Sequence, residues 1–221
     1  MARPLFWSIS FSMQTRVISA DRPGALAQAV AVLRAGGLVA FPTDTVYGVG
    51  AHAYQPAAVA RLYAAKVRPE GKAIPLLLGD AADIERVSRD LPPLTQRLMD
   101  AFWPGALTLV VPRNAGLPDI VTAGGPTVAV RLPDHRLPRA LARALGAPLA
   151  ATSANLSGQA EASSAADVMA QLDGRIDLLL DGGRCPGGVP STVVDLTVQP
   201  PAILRQGALD PELLQRLLAA R

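Results

Sequence analysis

Short apolar runs alternate along this chain with segments of helical periodicity, and this alternation limits its possible folds more than any other feature. The runs at 38–41 and 148–152 show no polar alternation, which is typical of strands covered on both faces. Residues 56–66 place Val59, Leu62 and Tyr63 on one face, which predicts a helix. Because strands and helices alternate without an internal repeat, the sequence predicts a single α/β domain built around one mixed sheet.

Cap and turn residues mark the predicted element boundaries. Asp21, Asp80 and Asp210 are typical helix starts, and the glycine- and proline-rich segment 113–126 predicts a loop. Strands are predicted at 38–41, 73–78, 107–111, 127–132, 148–152, 178–180, 192–196 and 202–205. Helices are predicted at 21–36, 56–66, 80–87, 92–102, 134–145, 165–172 and from 210 onwards.

The composition excludes several classes of protein. A net charge of +3 is too modest for a nucleic-acid arm and favours anionic small molecules as ligands. One cysteine and two histidines rule out an internal disulfide framework and the usual Cys/His zinc patterns. No run of about twenty apolar residues occurs, so no membrane span is expected. These features predict a protein of a reducing compartment, the cytoplasm.

Residues 1–12 differ in character from the rest of the chain. Serines interrupt their apolar positions, no small-residue cleavage site follows, and they provide no periodic face to bury. We expect a disordered N-terminal extension at 1–12, with Met13 as the working start. A single domain is expected over 13–221, because the length fits one large domain or two small ones and no linker forces a division.

Lysine occurs only in one short segment of the chain. Lys66 and Lys72 are the two lysines among 21 basic residues, and Arg68 lies between them. An ammonium is a compact point charge and a guanidinium can bind a phosphate through two hydrogen bonds, so the segment suits phosphate chemistry. The helical period places Lys66 on the stripe of Val59 and Leu62, where it would need an anion. The alternative is a helix that ends in basic residues because these suit its dipole.

Polar clusters follow or adjoin three apolar strands, at 43–47, 153–158 and 191–192. In open α/β sheets, loops at strand ends line the ligand crevice, and hydroxyl, amide and N–H groups suit phosphate and carboxylate oxygens. The alternative is that each cluster is only a turn or a cap. No G-x-x-x-x-G-K-[ST] loop is present, and the glycine pairs at 182–183 and 187–188 lack the strand-to-helix context of a dinucleotide fingerprint.

Two histidines and one cysteine are further candidates for reactive groups. His52 follows the first polar cluster and could reach the crevice, whereas His135, beside a helix start capped by Asp134, is expected to be exposed. Arg184 precedes Cys185 and could lower the pKa of its thiol. Because no base lies beside Cys185 in the sequence, a nucleophilic role is not expected.

Seven short motifs occur in a fixed order along the chain. They are P-T-D-T-V-Y-G at 42–48, K-V-R-P at 66–69, W-P-G-A-L-T at 103–108, V-A-V-R-L-P at 128–133, T-S-A-N-L-S-G at 152–158, G-G-V-P-S-T-V-V-D at 187–195 and I-L-R-Q-G at 203–207. In this order they resemble the YrdC-domain family of threonylcarbamoyl-adenylate synthases, over residues 15–208. The length is similar to the short, single-domain form, since the long form carries a further C-terminal domain.

The resemblance implies a twisted sheet of mixed parallel and antiparallel strands, with flanking helices around a concave, positively charged site. It also implies an enzyme, a nucleotidyltransferase that condenses L-threonine, bicarbonate and ATP into threonylcarbamoyl-AMP and pyrophosphate. Downstream transfer machinery would then place the threonylcarbamoyl group on tRNA. Mg²⁺ would be carried by the polyphosphate of ATP, with no metal ligand from protein side chains.

The same resemblance implies roles for eleven side chains, with Lys66 and Arg68 as the catalytic pair. The residues expected to bind ATP are Lys66, Arg68, Lys72, Thr108, Ser153, Asn155 and Arg205, and those expected to bind threonine and its carbamate are Thr43, Thr45, Arg131 and Ser191. Attack of the carbamate on the α-phosphate builds negative charge on phosphoryl oxygens, so cations and hydrogen-bond donors placed there would lower the barrier. Lys72 departs from the family pattern, since G-K-A-I-P stands where many relatives have asparagine directly before proline.

Two other functions are compatible with these motifs. A member of the same fold could have kept the crevice and lost the synthase reaction. The family's concave basic surface also suggests a module that binds tRNA or double-stranded RNA. Its affinity would fall steeply with salt, because it would depend on phosphate contacts.

Overall fold

The computed structural model describes residues 14–69, 71–186 and 188–219. The expected extension at 1–12 and the working start at Met13 lie outside the described residues. The strands are β1 (Arg16–Ser19), β2 (Val39–Phe41), β3 (Gly48–His52), β4 (Leu76–Leu77), β5 (Leu107–Pro112), β6 (Thr127–Arg131), β7 (Leu149–Ser153), β8 (Leu178–Asp181), β9 (Thr192–Asp195) and β10 (Ala202–Arg205). The helices are α1 (Ala25–Arg34), α2 (Pro56–Lys66), α3 (Ile84–Val87), α4 (Leu94–Phe102), α5 (Asp119–Thr122), α6 (Arg136–Leu145), α7 (Ala165–Leu172) and α8 (Pro211–Ala219).

The ten strands of the described chain form one sheet in the order β1-β8-β2-β3-β7-β4-β6-β5-β9-β10. Strand pairs β1·β8, β2·β8, β4·β6 and β5·β9 are parallel. Pairs β2·β3, β3·β7, β4·β7, β5·β6 and β9·β10 are antiparallel. The prediction of a mixed sheet with flanking helices is therefore confirmed.

Two apolar cores lie on opposite faces of this sheet. One contains side chains of α2, α3, α4, α5, α7 and α8, and the other those of α1 and α6. Alternate strand residues divide between them: Ala40 packs in the first core, whereas Val39 and Phe41 pack in the second. Because both faces are buried, the central strands are apolar at consecutive positions.

Strand β3 is the largest element that the sequence analysis missed. Its segment G-V-G-A-H is poor in the β-branched and aromatic residues that favour strands, yet it pairs with both β2 and β7. A side chain at Gly48 or Gly50 would crowd Phe41, since a Cβ would lie 3.0 and 3.2 Å from its ring. Tertiary packing therefore needs glycine at positions where local propensity disfavours a strand.

Several other elements differ from the prediction. Helix α1 begins at Ala25, after the N-cap Gly24, so the predicted start at Asp21 is wrong, and strand β1 was not predicted. The segment 80–87 divides into a 3₁₀ turn at Ala81–Asp83 and helix α3, with Asp80 and Asp83 forming a capping box. Helix α5 lies inside the predicted loop 113–126. Strand β4 covers only Leu76–Leu77 of the predicted 73–78, because it pairs with β6 and β7 over just these two residues.

The predicted capping of α6 by Asp134 is wrong. His135 is the N-cap, and its Nδ1 accepts a hydrogen bond from the N–H of Leu137 at 3.2 Å. His135 is consequently half-buried rather than exposed, and burial lowers the pKa of its imidazole. A lowered pKa favours the neutral ring that this acceptor role requires.

Candidate functional site

A cavity of about 450 Å³ opens on the sheet face that carries α1 and α6. Its floor consists of strand residues, among them Leu77, Thr108, Ala129, Ala151 and Val193. Thr108 and Val193 are direct cross-strand partners, and cross-strand partners point to the same face. The prediction that strand-end loops form the crevice is thus incomplete: loops supply the rim, and the sheet face supplies the floor.

All eleven side chains singled out in the sequence line this one cavity. They are Thr43, Thr45, Lys66, Arg68, Lys72, Thr108, Arg131, Ser153, Asn155, Ser191 and Arg205. They come from the loop after β2, the end of α2 and the turn after it, strands β5, β6, β7 and β10, and the segments that follow β7 and precede β9. The order of the strands therefore brings together residues as far apart in sequence as Thr43 and Arg205.

Lys66 ends α2 and is only 2% exposed, which confirms that it faces inward. Its ammonium donates hydrogen bonds to the backbone carbonyls of Ser153 and Asn155, and to Oδ1 of Asn155 at 3.3 Å. Burial lowers the pKa of Lys66 to about 8, and the nearby charge of Arg68 acts in the same direction. The three protons of the ammonium thus meet three protein acceptors rather than an anion of the protein.

The segment Ser153–Gly158 is tied to α2 in both directions. While the Lys66 ammonium binds two of its carbonyls, the N–H of Ser157 donates to the Lys66 carbonyl at 2.9 Å. The Nδ2 amide of Asn155 donates to the carbonyls of Leu156 and Gln159, at 3.0 and 2.7 Å. This loop is therefore held in one conformation before any ligand binds.

Arg68 and Lys72 occupy the turn that follows α2. Val67, with φ of 52°, ends the helix in the left-handed region. The guanidinium of Arg68 then donates to the carbonyls of Lys72 and Ala73, at 3.1 and 2.8 Å, so it braces the turn. Lys72 is exposed, and no acceptor for its ammonium lies among the described residues. Lys72 therefore places a positive charge on the cavity wall.

The hydroxyls of Thr43 and Thr45 lie 3.0 Å apart in the loop after β2. The Thr43 hydroxyl donates to the carbonyl of Val46 at 2.7 Å and accepts from the N–H of Thr45 at 3.1 Å. The Thr45 hydroxyl accepts from Nη1 of Arg131 at 3.0 Å. A hydrogen-bonded chain therefore links this loop to the end of β6.

Ser191 joins a second cluster with Thr108 and Arg205. Its hydroxyl lies 2.8 Å from that of Thr108 and accepts from Nη2 of Arg205 at 3.1 Å. Nε of Arg205 also donates to the Ser191 carbonyl at 3.0 Å. Ser191, expected to bind threonine, thus hydrogen-bonds to two residues expected to bind the nucleotide, and not to Thr43 or Thr45.

The sequence model of the Sua5/YciO/YrdC family, described as "Telomere recombination", matches residues 31–207. The chain belongs to this family. It is 39% identical, over 90% of its length and 91% of the relative's, to the putative threonylcarbamoyl-AMP synthase of Mycobacterium tuberculosis.

Two other relatives of this Sua5/YciO/YrdC chain are longer than it is. It is 44% identical to the threonylcarbamoyl-AMP synthase of Bacillus subtilis, over 87% of this chain and 56% of that protein. The crystal structure of Pyrococcus abyssi Sua5 complexed with L-threonine superposes with a TM-score of 0.90 and 38% identity, over 93% of this chain and 61% of that one. The chain therefore spans little more than half the length of these two relatives.

The cavity of this family member is also lined by Glu161 and Tyr47, neither of which was assigned a role from the sequence. Glu161 is the one carboxylate among the described residues that line the cavity, and it is exposed; nothing distinguishes it locally from other loop residues. The hydroxyl of Tyr47 donates to the carbonyl of Gly183 at 2.6 Å and accepts from the N–H of Gly182 at 3.2 Å. Burial raises the pKa of Tyr47 to about 12, so this anchor stays protonated.

His52, His135 and Cys185 do not line the cavity. His52 ends β3, and its Nδ1 accepts from the N–H of Tyr54 at 3.2 Å, so the prediction that it could reach the crevice is wrong.

Cys185 is buried, and burial raises the pKa of its thiol. The Arg184 guanidinium lies against the hydroxyl of Ser163 at 2.9 Å. The predicted lowering of the thiol pKa is therefore wrong.

The described residues contain no group of three or more His, Cys, Asp or Glu side chains able to hold a metal ion. Mg²⁺ typically binds one or two carboxylates together with phosphate oxygens and water. Glu161 on the cavity wall meets that limited need, so the lining fits a Mg²⁺ ion that arrives on a polyphosphate. None of the helices in the described part of the chain has the length and apolar character that a membrane span needs.

Proposed function

We propose that this chain is an ATP-dependent nucleotidyltransferase of the cytoplasm that condenses L-threonine, bicarbonate and ATP into threonylcarbamoyl-AMP and pyrophosphate. The observation that carries the proposal is the meeting of ten side chains from the ordered motifs, together with Lys72, in one cavity. A volume of about 450 Å³ lies within the range typical of small-molecule sites. The names of the Bacillus and Mycobacterium relatives, and the L-threonine in the Pyrococcus structure, support the same function.

The charge distribution of the cavity suits a polyphosphate. Among the described residues, five cations line it, namely Lys66, Arg68, Lys72, Arg131 and Arg205, against the one carboxylate of Glu161. A cleft lined by one sign of charge concentrates ligands of the opposite sign. Because phosphoryl transfer is catalysed chiefly by positioning and by stabilising charge, such a lining is sufficient without a protein nucleophile.

In the proposed reaction, the amine of threonine forms an N–C bond to bicarbonate, whose C–OH bond breaks with release of water. An oxygen of the resulting carbamate attacks the α-phosphorus of ATP. The new bond joins that oxygen to phosphorus, and the bond from phosphorus to the bridging oxygen of pyrophosphate breaks. Lys72 and the outer N–H groups of Arg68 would bind phosphate oxygens. Lys66 would hold the Ser153–Gly158 segment, so that the Ser153 hydroxyl and neighbouring N–H groups meet the phosphate with little reorganisation.

The amino acid would bind near Thr43, Thr45 and Arg131, where a guanidinium and two hydroxyls lie together. Mg²⁺ bound to the polyphosphate would offset its charge, with Glu161 as the available protein ligand. Threonylcarbamoyl-AMP would leave for the machinery that transfers its threonylcarbamoyl group to tRNA. Direct contact between this chain and RNA is not required for any of these steps.

A turnover assay tests the proposal directly. The purified chain is incubated with ATP, Mg²⁺, bicarbonate and threonine, and both pyrophosphate and the adenylate are measured. We expect both products to require threonine and to be lost in an Arg68→Ala Lys72→Ala double variant. Pyrophosphate release that ignores threonine would overturn the proposal. RNA binding that collapses with salt, in the absence of turnover, would instead establish an RNA-binding module.

A further inference from the structure

An ion pair lies directly behind the proposed amino-acid site. Nη2 of Arg131 donates to Oδ1 of Asp44 at 2.6 Å. The Arg131 side chain is 8% exposed and that of Asp44 is 15% exposed. Arg131 lines the cavity and Asp44 does not, so any effect of Asp44 on a ligand must pass through its neighbours.

Arg131 is held from three directions by three different groups. Its Nε donates to the carbonyl of Gly105 at 2.9 Å, and its Nη1 donates to the hydroxyl of Thr45 at 3.0 Å. The bond from Nη2 to Asp44 completes the set. A guanidinium has five N–H groups, so Nη1 and Nη2 of Arg131 each keep one N–H that donates to none of these three groups. An N–H of a guanidinium that is not used within the protein can donate a charge-assisted hydrogen bond to the carboxylate of a ligand.

We infer that Asp44 is a positioning residue, which aims the two remaining N–H groups of Arg131 at the carboxylate of the amino-acid substrate. This inference rests on the proposed function. Without Asp44, Nη2 would lose its acceptor, and the guanidinium would be held only by two neutral acceptors, the Gly105 carbonyl and the Thr45 hydroxyl. A charged acceptor binds a guanidinium more strongly and at a shorter distance than a neutral one.

The pairing of Arg131 with Asp44 also explains how a polyphosphate and the carboxylate of an amino acid could bind at different places in one cavity. The carboxylate of Asp44 offsets the charge of Arg131, whereas Lys72 has no such partner among the described residues. A polyphosphate is drawn most strongly to the unpaired cation. Arg131 then remains available to a single carboxylate, which is recognised by the direction of the two N–H groups rather than by net charge.

The test compares Asp44→Asn with a matched Asp177→Asn control. Asp177 also accepts from an arginine, Arg61, at 2.9 and 3.0 Å, and it lies outside the cavity. We expect Asp44→Asn to raise the KM for threonine about tenfold or more and to leave the KM for ATP within about twofold. Asp177→Asn should lower the melting temperature without changing either KM.

An Arg131→Lys background decides whether Asp44 acts through Arg131. There, Asp44→Asn should change the KM for threonine by less than about twofold, because the group that it orients is gone. Asp44→Glu, which keeps the charge and displaces it by one methylene, serves as the second variant if Asp44→Asn does not fold. An unchanged KM for threonine, or equal rises for threonine and ATP, would overturn the inference. Failure of the wild-type chain to use threonine would instead overturn the proposed function.

Discussion

Replacing Lys66 by methionine separates the effect of its buried ammonium on folding stability from its effect on turnover. Methionine keeps much of the stem and removes the charge and the three hydrogen bonds. Two backbone carbonyls, those of Ser153 and Asn155, then lose a donor, at about 1–3 kcal/mol each if they stay buried and unsatisfied. The substitution also removes the unfavourable burial of the ammonium, which lowers the pKa of Lys66 from 10.5 to about 8. That removal offsets roughly 3 kcal/mol of the lost folding free energy.

The net loss of folding free energy in Lys66→Met is therefore at most about 3 kcal/mol at pH 7. The loss of turnover should be on the order of a hundredfold, because the Ser153–Gly158 segment loses its anchor and the site loses a cation. Urea unfolding and initial rates of pyrophosphate release measure the two effects on the same protein preparations.

The pH dependence of stability and of turnover is a sharper test of the role of Lys66 than the values at pH 7. Between about pH 8 and 10.5, the unfolded chain binds more protons at Lys66 than the folded chain does. The free energy of unfolding of the wild type, relative to that of Lys66→Met, should accordingly rise with pH. At pH 10 this difference should be roughly 2 kcal/mol more favourable to the wild type than at pH 7. The ratio of wild-type to variant turnover should fall over the same interval, since the neutral amine holds the segment less strongly.

Taking the ratio to Lys66→Met cancels the titration of threonine and bicarbonate, which both proteins share. The two trends have opposite signs, and no change in overall stability alone produces that result. A turnover ratio that stays constant up to pH 10 would show that Lys66 titrates as an ordinary exposed lysine. The assigned role of its buried ammonium would then be wrong.

Three further predictions follow from the geometry of the cavity. If the hydroxyls of Thr43 and Thr45 bind the substrate hydroxyl, kcat/KM should fall about 10⁴-fold for valine and only about 10 to 200-fold for serine; equal values for both would contradict this. Lys72→Ala should raise the KM for ATP about tenfold with an unchanged melting temperature, since an exposed charge contributes under about 1 kcal/mol to folding. Glu161→Gln should weaken ATP binding in Mg²⁺ and strengthen it in EDTA by calorimetry, whereas Glu85→Gln, at an exposed position of α3, should change neither; a shift of the same sign in both buffers would exclude a metal contact.

Much of the fold and of the candidate site could be predicted from local pattern. Periodicity located most helices and strands, and it placed Lys66 on the inward face of α2, where the structure has it. The ordered motifs identified the family, and all the residues that they indicated line one cavity. These predictions succeeded because a helical period or a short motif is complete within a few residues of sequence.

The partners of those residues were decided only by the tertiary structure. Lys66 binds carbonyls almost ninety residues away, and Arg131 pairs with Asp44 across a comparable separation. His135 rather than Asp134 caps α6, and strand β3 forms although its glycines disfavour it. Hydrogen-bond partners, burial and cross-strand register depend on which strands become neighbours. That order is set by the packing of the whole sheet, so no local stretch of sequence contains it.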